Sequence, residues 1–223
     1  DKISYYGNLV DHNFITTHPS VFLKQNKNIN NLHFMFIPVD KNIECFDVFN
    51  LNPRKDIFYA MSHGVNRAIL KKGKNDSRIH FLNSLIKKIN GINYDFYGFE
   101  NKEPVWGDEF YKALINSKMG LNLSRGSPTK YYSSNRIASL MGNGLLTFID
   151  KKTSMNDFFT KSEIIFYNNL EDLSDKILFY KKNERARIKI AKRGKVKYFK
   201  LFNETKISKY FIDKSFGKEV SLF

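Results

Sequence analysis

The amino-acid sequence predicts an α/β fold, a mostly parallel sheet flanked by helices. Three observations carry that prediction. Short apolar, β-branched or aromatic runs alternate with longer amphipathic segments, as in successive βα units. Turn-forming residues such as Asn90-Gly91 and Gly142-Asn-Gly144 separate them. Of 223 residues, 42% are hydrophobic, 15% aromatic and 26% charged, outside the low-hydrophobicity range in which chains stay disordered.

Taken in order, a strand is expected at Asn13–Thr17, then a short helix or loop, then a strand at His33–Ile37 that Pro38 closes, because proline cannot donate to a central ladder. The turn-rich Asn50-Leu-Asn-Pro53 places a domain boundary near residues 40–55. Beyond it, strands are expected at Asp56–Met61, Tyr94–Tyr97, Met119–Leu123, Leu145–Ile149 and Ile164–Tyr167. Helices are expected at Asp76–Ile89, Asp108–Ser117, Ser134–Met141, Leu170–Tyr180 and Glu184–Phe202, with a short one at Lys206–Lys214. Asp108 reads as a helix cap, with Glu109 in the first turn and Lys118 at the far end, all complementing the backbone dipole. In Met119–Ser124 apolar residues alternate, as in a strand with one face against helices.

Cys45 is the sole cysteine, which excludes an intrachain disulfide and a cysteine-based zinc site and fits a reducing, cytoplasmic setting. No apolar run reaches the roughly 18–20 residues that span a bilayer. The opening Asp1-Lys2-Ile3-Ser4 resembles neither a signal peptide nor a natural start, which points to a fragment. The net charge is +15, and an excess of that size brings anionic partners into consideration: nucleic acid, membrane headgroups or a phosphorylated ligand. Between Lys181 and Lys200 there are ten Lys/Arg residues against Glu184 alone. That run reads either as a solvated helix face or as a peripheral contact with an anionic membrane.

In an open α/β sheet, ligands sit beyond the carboxyl ends of the strands, so residues directly after each strand are candidates. Ser62-His63-Gly64 follows the first of these strands; glycine admits close backbone approach, exposed amides and a hydroxyl can hold phosphate oxygens, and His63 is a candidate proton carrier. A strand-to-helix turn needs small residues on structural grounds as well. Phe99 and Trp106, near the end of the Tyr94–Tyr97 strand, are candidates for stacking on a nucleobase, with packing of Trp106 onto the core as the competing reading. The stretch Asn122–Arg136 joins hydroxyls, two arginines and a helix start, an arrangement suited to a diphosphate because arginine offers a rigid bidentate fork. Met141-Gly-Asn-Gly144 reads first as turn geometry.

The runs Leu121-Asn-Leu-Ser-Arg125, Lys130-Tyr-Tyr-Ser-Ser-Asn-Arg136 and Gly142-Asn-Gly-Leu-Leu146, followed by Glu163-Ile-Ile-Phe-Tyr167, Leu170–Leu173 and Lys192-Arg-Gly194, together resemble the carboxyl-terminal domain of bacterial glycosyltransferases in the CgeB-like branch of the group 1 transferases. The resemblance covers roughly residues 33–203. It implies the carboxyl-terminal half of a GT-B fold, a Rossmann-like nucleotide-sugar-binding domain at residues 41–205, with a remnant of the acceptor-side amino-terminal domain at 1–40. Most of the acceptor domain would then be missing, and residues 206–223 would form a terminal helix and tail crossing back to it.

By the same resemblance Ser134, Asn135 and Arg136 hold the donor diphosphate. Ser124, Arg125 and Tyr132 lie near the sugar or phosphates, and Ser62, His63 and Gly64 face the phosphates across the cleft, His63 being the candidate catalytic residue. Relatives often carry Glu three residues after the motif arginine to hold the ribose; here that place is Ser139. The implied activity is sugar transfer from a nucleotide-sugar donor to a glycan or lipid-linked acceptor in cell-surface polysaccharide or lipopolysaccharide synthesis. The nucleotide sugar is a substrate, no cofactor is expected, and without an Asp-x-Asp triplet no metal is expected either. Two other readings compete: a non-catalytic nucleotide-binding module, and a nucleic-acid binder that rests on charge alone.

Overall fold

The computed structural model describes residues 2–25, 29–62, 69–70 and 74–222. The five strands expected between residues 56 and 167 form one parallel sheet: β3 (Lys55–Ala60), β6 (Tyr94–Tyr97), β7 (Ser117–Asn122), β8 (Leu146–Asp150) and β9 (Ile165–Tyr167), in the spatial order β6-β3-β7-β8-β9. Between β3 and β6 lie a short antiparallel pair, β4 (Ile69–Leu70) with β5 (Lys74–Asn75), and helix α3 (Ser77–Lys88). This pair is absent from the sequence-based expectation because two-residue strands leave no periodicity to read.

Alternate strand residues face opposite helical layers. Ile57, Tyr59, Met119, Leu121, Leu146 and Phe148 pack with Leu82 and Leu85 of α3 and with Leu173 and Ile177 of α6 (Leu170–Lys182). On the other face Phe58 and Ala60 meet Ala113 and Leu114 of α4 (Gly107–Ile115) and Leu140 of α5 (Arg136–Gly142). Strand β7 is central and is therefore buried on both faces, not on one as its alternation suggested. Gly120 on β7 makes room for Leu140, which would overlap any Cβ placed there.

Other expectations shift for local reasons. Helix α4 starts at Gly107, so Trp106 occupies the cap position with no side-chain bond, and Asp108 lies inside the first turn. Lys118 belongs to β7 and approaches Asp56 at 3.7 Å. Asp56 also holds Lys181 at 2.7 Å. Burial alone would raise the Asp56 carboxyl, but the Asn93 amide and Lys181 together hold it below the usual carboxylate range.

The first forty residues contribute α1 (Lys2–Gly7), β1 (Asn13–Ile15), α2 (Pro19–Gln25) and β2 (Leu32–Phe34), with β1 and β2 forming a separate parallel pair. The chain then runs extended into the core: Phe36 is buried against Phe202 at 4.3 Å, and the Ile37 carbonyl accepts from Tyr198 Oη at 2.8 Å. Val39 fits between α7 (Glu184–Phe202) and α8 (Glu204–Ser215), donating to the Phe202 carbonyl and accepting from the Glu204 amide, both at 2.9 Å. Helix α8 reaches β1, where Phe14 lies 4.4 Å from Phe211 between ring centroids.

Gly194 lies in the middle of α7, where alanine would ordinarily gain about 1 kcal/mol of helix propensity. A Cβ there would collide with the Glu163 backbone carbonyl, which cannot rotate away. Gly194→Ala is therefore expected to destabilise the fold by about 1–3 kcal/mol. Urea denaturation checks the sign; a stabilised variant would contradict this packing.

Candidate active site

The sheet has a point where its winding reverses: from β3 the chain moves outward to β6, then returns to the other side of β3 as β7. At such a point the two following loops diverge and leave a crevice beyond the strand ends. Arg136, the first residue of α5, spans it. Its Nε donates to the Ala60 carbonyl at 2.8 Å, and its Nη1 donates to the Leu123 carbonyl at 3.3 Å and to Ser134 Oγ at 3.0 Å. The guanidinium also lies over the Tyr59 ring, 4.4 Å from its centroid.

A second guanidinium meets the same tyrosine. Arg78 Nη1 donates to Tyr59 Oη at 3.4 Å, while its Nε donates to both carboxylate oxygens of Asp76 at 2.9 and 3.1 Å. Tyr59 Oη in turn donates to the Leu123 carbonyl at 3.2 Å. Burial alone would lower the Arg78 pKa, but the hydrogen bonds and charge interactions with Asp76 and Tyr59 together more than offset it and the net shift is upward. Arg136 shifts downward, chiefly through burial, with the neighbouring Arg78 charge adding to it. Both remain cations near neutral pH because arginine starts so far above it. Among the described residues Arg136 forms no ion pair, while Arg78 is paired with Asp76.

The polar loop is tied to the strand end by a chain of short bonds. Asn122 Nδ2 donates to Ser133 Oγ at 2.7 Å, and Ser134 Oγ donates to Asn122 Oδ1 at 3.0 Å. The α5 amides are less available than expected, because Ile137 and Ala138 N–H turn back to the Ser134 and Asn135 carbonyls. The anion-binding capacity here comes mainly from side chains.

Two hollows open on either side of Arg78. The larger, about 470 Å³, brings together Ser62, Trp106, Ser134, Asn135 and Arg136, with Tyr111 and Ser139 on its wall. The smaller, about 180 Å³, is lined by Ser124 and Tyr132 together with Asn122, Asp150 and Tyr167. Arg78 belongs to both linings. Most of the candidate residues thus fall into two adjoining spaces at one end of the sheet.

Two candidates, Phe99 and Arg125, lie outside these spaces, and Trp106, which lines the larger one, falls to one of its two readings. Phe99 is 5% exposed and packed against Phe96, so it has no face to offer a base. It is a core residue because the turn at Gly98 directs it inward. Trp106 is 66% exposed, which corrects the expectation that it packs onto the core. Arg125 is exposed on the loop and lines neither hollow. His63 and Gly64 lie outside the described residues.

Sequence reasoning missed Asp76, Arg78, Tyr59, Asp150 and Tyr167. Asp76 and Arg78 were visible as a helix start, where Asp76 also accepts from the Arg78 amide at 3.0 Å, but their role beneath the crevice depends on the sheet order. Tyr167 is almost fully buried, and its hydroxyl makes no hydrogen bond among the described residues. Removing an unsatisfied buried hydroxyl relieves a desolvation cost. Tyr167→Phe is therefore expected to leave the unfolding free energy unchanged or raise it by up to about 1 kcal/mol; a comparable loss would show a missing partner.

Residues 74–210 match the model of the glycosyl transferase-like family, more than half of the chain. No curated protein sequence matches it. Among solved structures, a variant of S. aureus TarM in complex with fondaparinux, alpha-GlcNAc-glycerol and UDP is 15% identical with a TM-score of 0.62, over 96% of this chain and 45% of that one. Anabaena HepE in complex with UDP is 9% identical with a TM-score of 0.66, over 92% and 63%. Sucrose-phosphate synthase from Thermosynechococcus elongatus is 11% identical with a TM-score of 0.57, over 92% and 57%. The chain spans less than two thirds of each of these proteins. It belongs to the glycosyl transferase-like family, and its fold is that of the carboxyl-terminal half of a GT-B glycosyltransferase.

Proposed function

We propose that this chain binds the nucleotide-sugar donor of a glycosyl transfer in the crevice between β3 and β7. The observation that carries the reading is the pair of guanidiniums, Arg136 and Arg78, gathered on Tyr59 at the winding reversal, with the exposed Trp106 ring on the same hollow as Arg136. A diphosphate would rest against the arginines, Ser62 and Ser134. The base would lie on Trp106, and the ribose would face the Ser139 and Tyr111 hydroxyls on the same wall. Ser124 and Tyr132, around the smaller hollow, are then placed for the sugar.

The chemistry follows from the charge. Transfer breaks the bond between the sugar and the diphosphate, and negative charge grows on the departing phosphate oxygens. Fixed cations already aimed at that place stabilise this charge without reorganising. His63 is a proposed participant in proton transfer.

Residues 1–40 are proposed to belong to the acceptor-side half and residues 206–223 to link back to it. The Phe14–Phe211 contact supports that division. The acceptor in this reading is a glycan or lipid-linked sugar of a cell-surface polysaccharide or lipopolysaccharide, built on the cytoplasmic face, and the finer family placement is the CgeB-like branch. Among the described residues no helix is long and apolar enough to cross a membrane.

Calorimetric titration with UDP, GDP, ADP and CMP tests the reading. One nucleotide is expected to bind, with Trp106→Ala weakening it about tenfold through lost stacking and leaving stability unchanged, since the ring is mostly exposed. Arg136→Lys keeps the charge but loses the rigid fork, and is expected to weaken it by a similar factor. Absence of binding by all four nucleotides to the folded chain would overturn the proposal.

A further inference from the structure

The basic run that stands out in the sequence divides in the structure into two populations. Three of its ten cations are used internally: Lys181 pairs with Asp56 at 2.7 Å, Arg187 with Glu184 at 2.8 Å, and Lys195 with Asp47 at 2.9 Å. The others make no ion pair among the described residues. Six of these, Arg185, Lys189, Lys192, Arg193, Lys197 and Lys200, lie on α7. Five of the six are exposed and Lys197 is half-buried.

Helical geometry places all six on one side. At about 100° per residue they fall within roughly 140° of arc, and the stripe from Arg185 to Lys200 is about 22 Å long. Ala191, Gly194, Tyr198 and Phe202 form the opposite, buried face. Val196, 63% exposed, lies within the basic stripe.

Beside the stripe is a shallow groove of about 420 Å³, where Lys192, Arg193, Lys197 and Lys200 face Ser162 and Glu163. The Glu163 carboxylate is already engaged, accepting from the Thr160 amide at 2.7 Å and from its hydroxyl at 3.0 Å. The groove is therefore mainly cationic and suited to a phosphate monoanion.

We propose that the outer face of α7 docks on an anionic phospholipid bilayer, with headgroup phosphates along the lysine and arginine stripe and Val196 against the apolar edge of the headgroup layer. Charge complementarity and the amphipathic arrangement carry the assignment. A face for single-stranded nucleic acid would interleave exposed aromatic rings with its cations, whereas Tyr198 is buried and Phe199 half-buried. The proposal is independent of the donor-site reading, since none of these side chains lines either hollow beside Arg78.

Co-sedimentation with phosphatidylcholine vesicles, with and without phosphatidylglycerol, tests it. Binding is expected only with the anionic lipid and should weaken steeply with salt. Each basic residue near such a surface contributes about fivefold, so the triple variant K189Q, K192Q and R193Q should partition about 100-fold less. Its melting temperature and nucleotide titration should match the parent chain, which shows the fold and crevice to be intact. A second triple, K41Q, K87Q and K152Q, removes the same charge from other exposed sites and should lose far less. Equal losses in both triples, no preference for anionic vesicles, or tighter binding to RNA than to vesicles through the same α7 residues would each overturn the proposal.

Discussion

The site depends on one side chain that links the ends of two neighbouring strands. Arg136 donates to the Ala60 carbonyl at the end of β3 and to the Leu123 carbonyl just past β7. These are the neighbouring strands between which the winding reverses, so their loops leave in different directions and create a crevice. Carbonyl groups at strand ends have lost their ladder partners, and a fixed guanidinium satisfies both while keeping its charge at the mouth of the crevice. The same bonds therefore fix the geometry of the site and set its electrostatics.

Around that clasp, the same side chains hold the strand ends and line the crevice. Tyr59 offers its ring to Arg136 and its hydroxyl to Arg78 and the Leu123 carbonyl. Ser134 receives Arg136 and in turn donates to Asn122, which carries the loop onto β7. Positioning of this kind limits the motion of the cations, and preorganised charge stabilises a developing anion more effectively than charge that must rearrange. Positive charge elsewhere is disposed differently: among the described residues, three cations of the Lys181–Lys200 run are taken into internal pairs and the other seven form none.

Much of this was legible in the sequence because parallel strands buried on both faces are written as compact apolar runs. Tyr94–Tyr97 appears in the structure with the expected ends, and α7 likewise runs from Glu184 to Phe202. The grouping of Ser62, Ser134, Asn135 and Arg136 was also readable, since all follow strands that end on the same side. What the sequence could not show was strand order. Arg78 and Tyr59 become neighbours of Arg136 only once β3 lies beside β7, and Phe99 and Trp106, both aromatic and both near the end of β6, differ in exposure because Gly98 turns one inward and the α4 start leaves the other at the surface. Local chemistry also misled at α5, where the first amides bend back onto their own turn instead of facing outward.

The most direct test of the account is a crystal structure of the chain grown with UDP. The diphosphate is expected within hydrogen-bonding distance of the Arg136 guanidinium, beside Ser62 and Ser134, with the base against Trp106 and the Ala60 and Leu123 contacts preserved. A nucleotide bound away from the β3–β7 crevice, or an Arg136 that turns wholly to the strand ends and leaves the phosphates untouched, would contradict it.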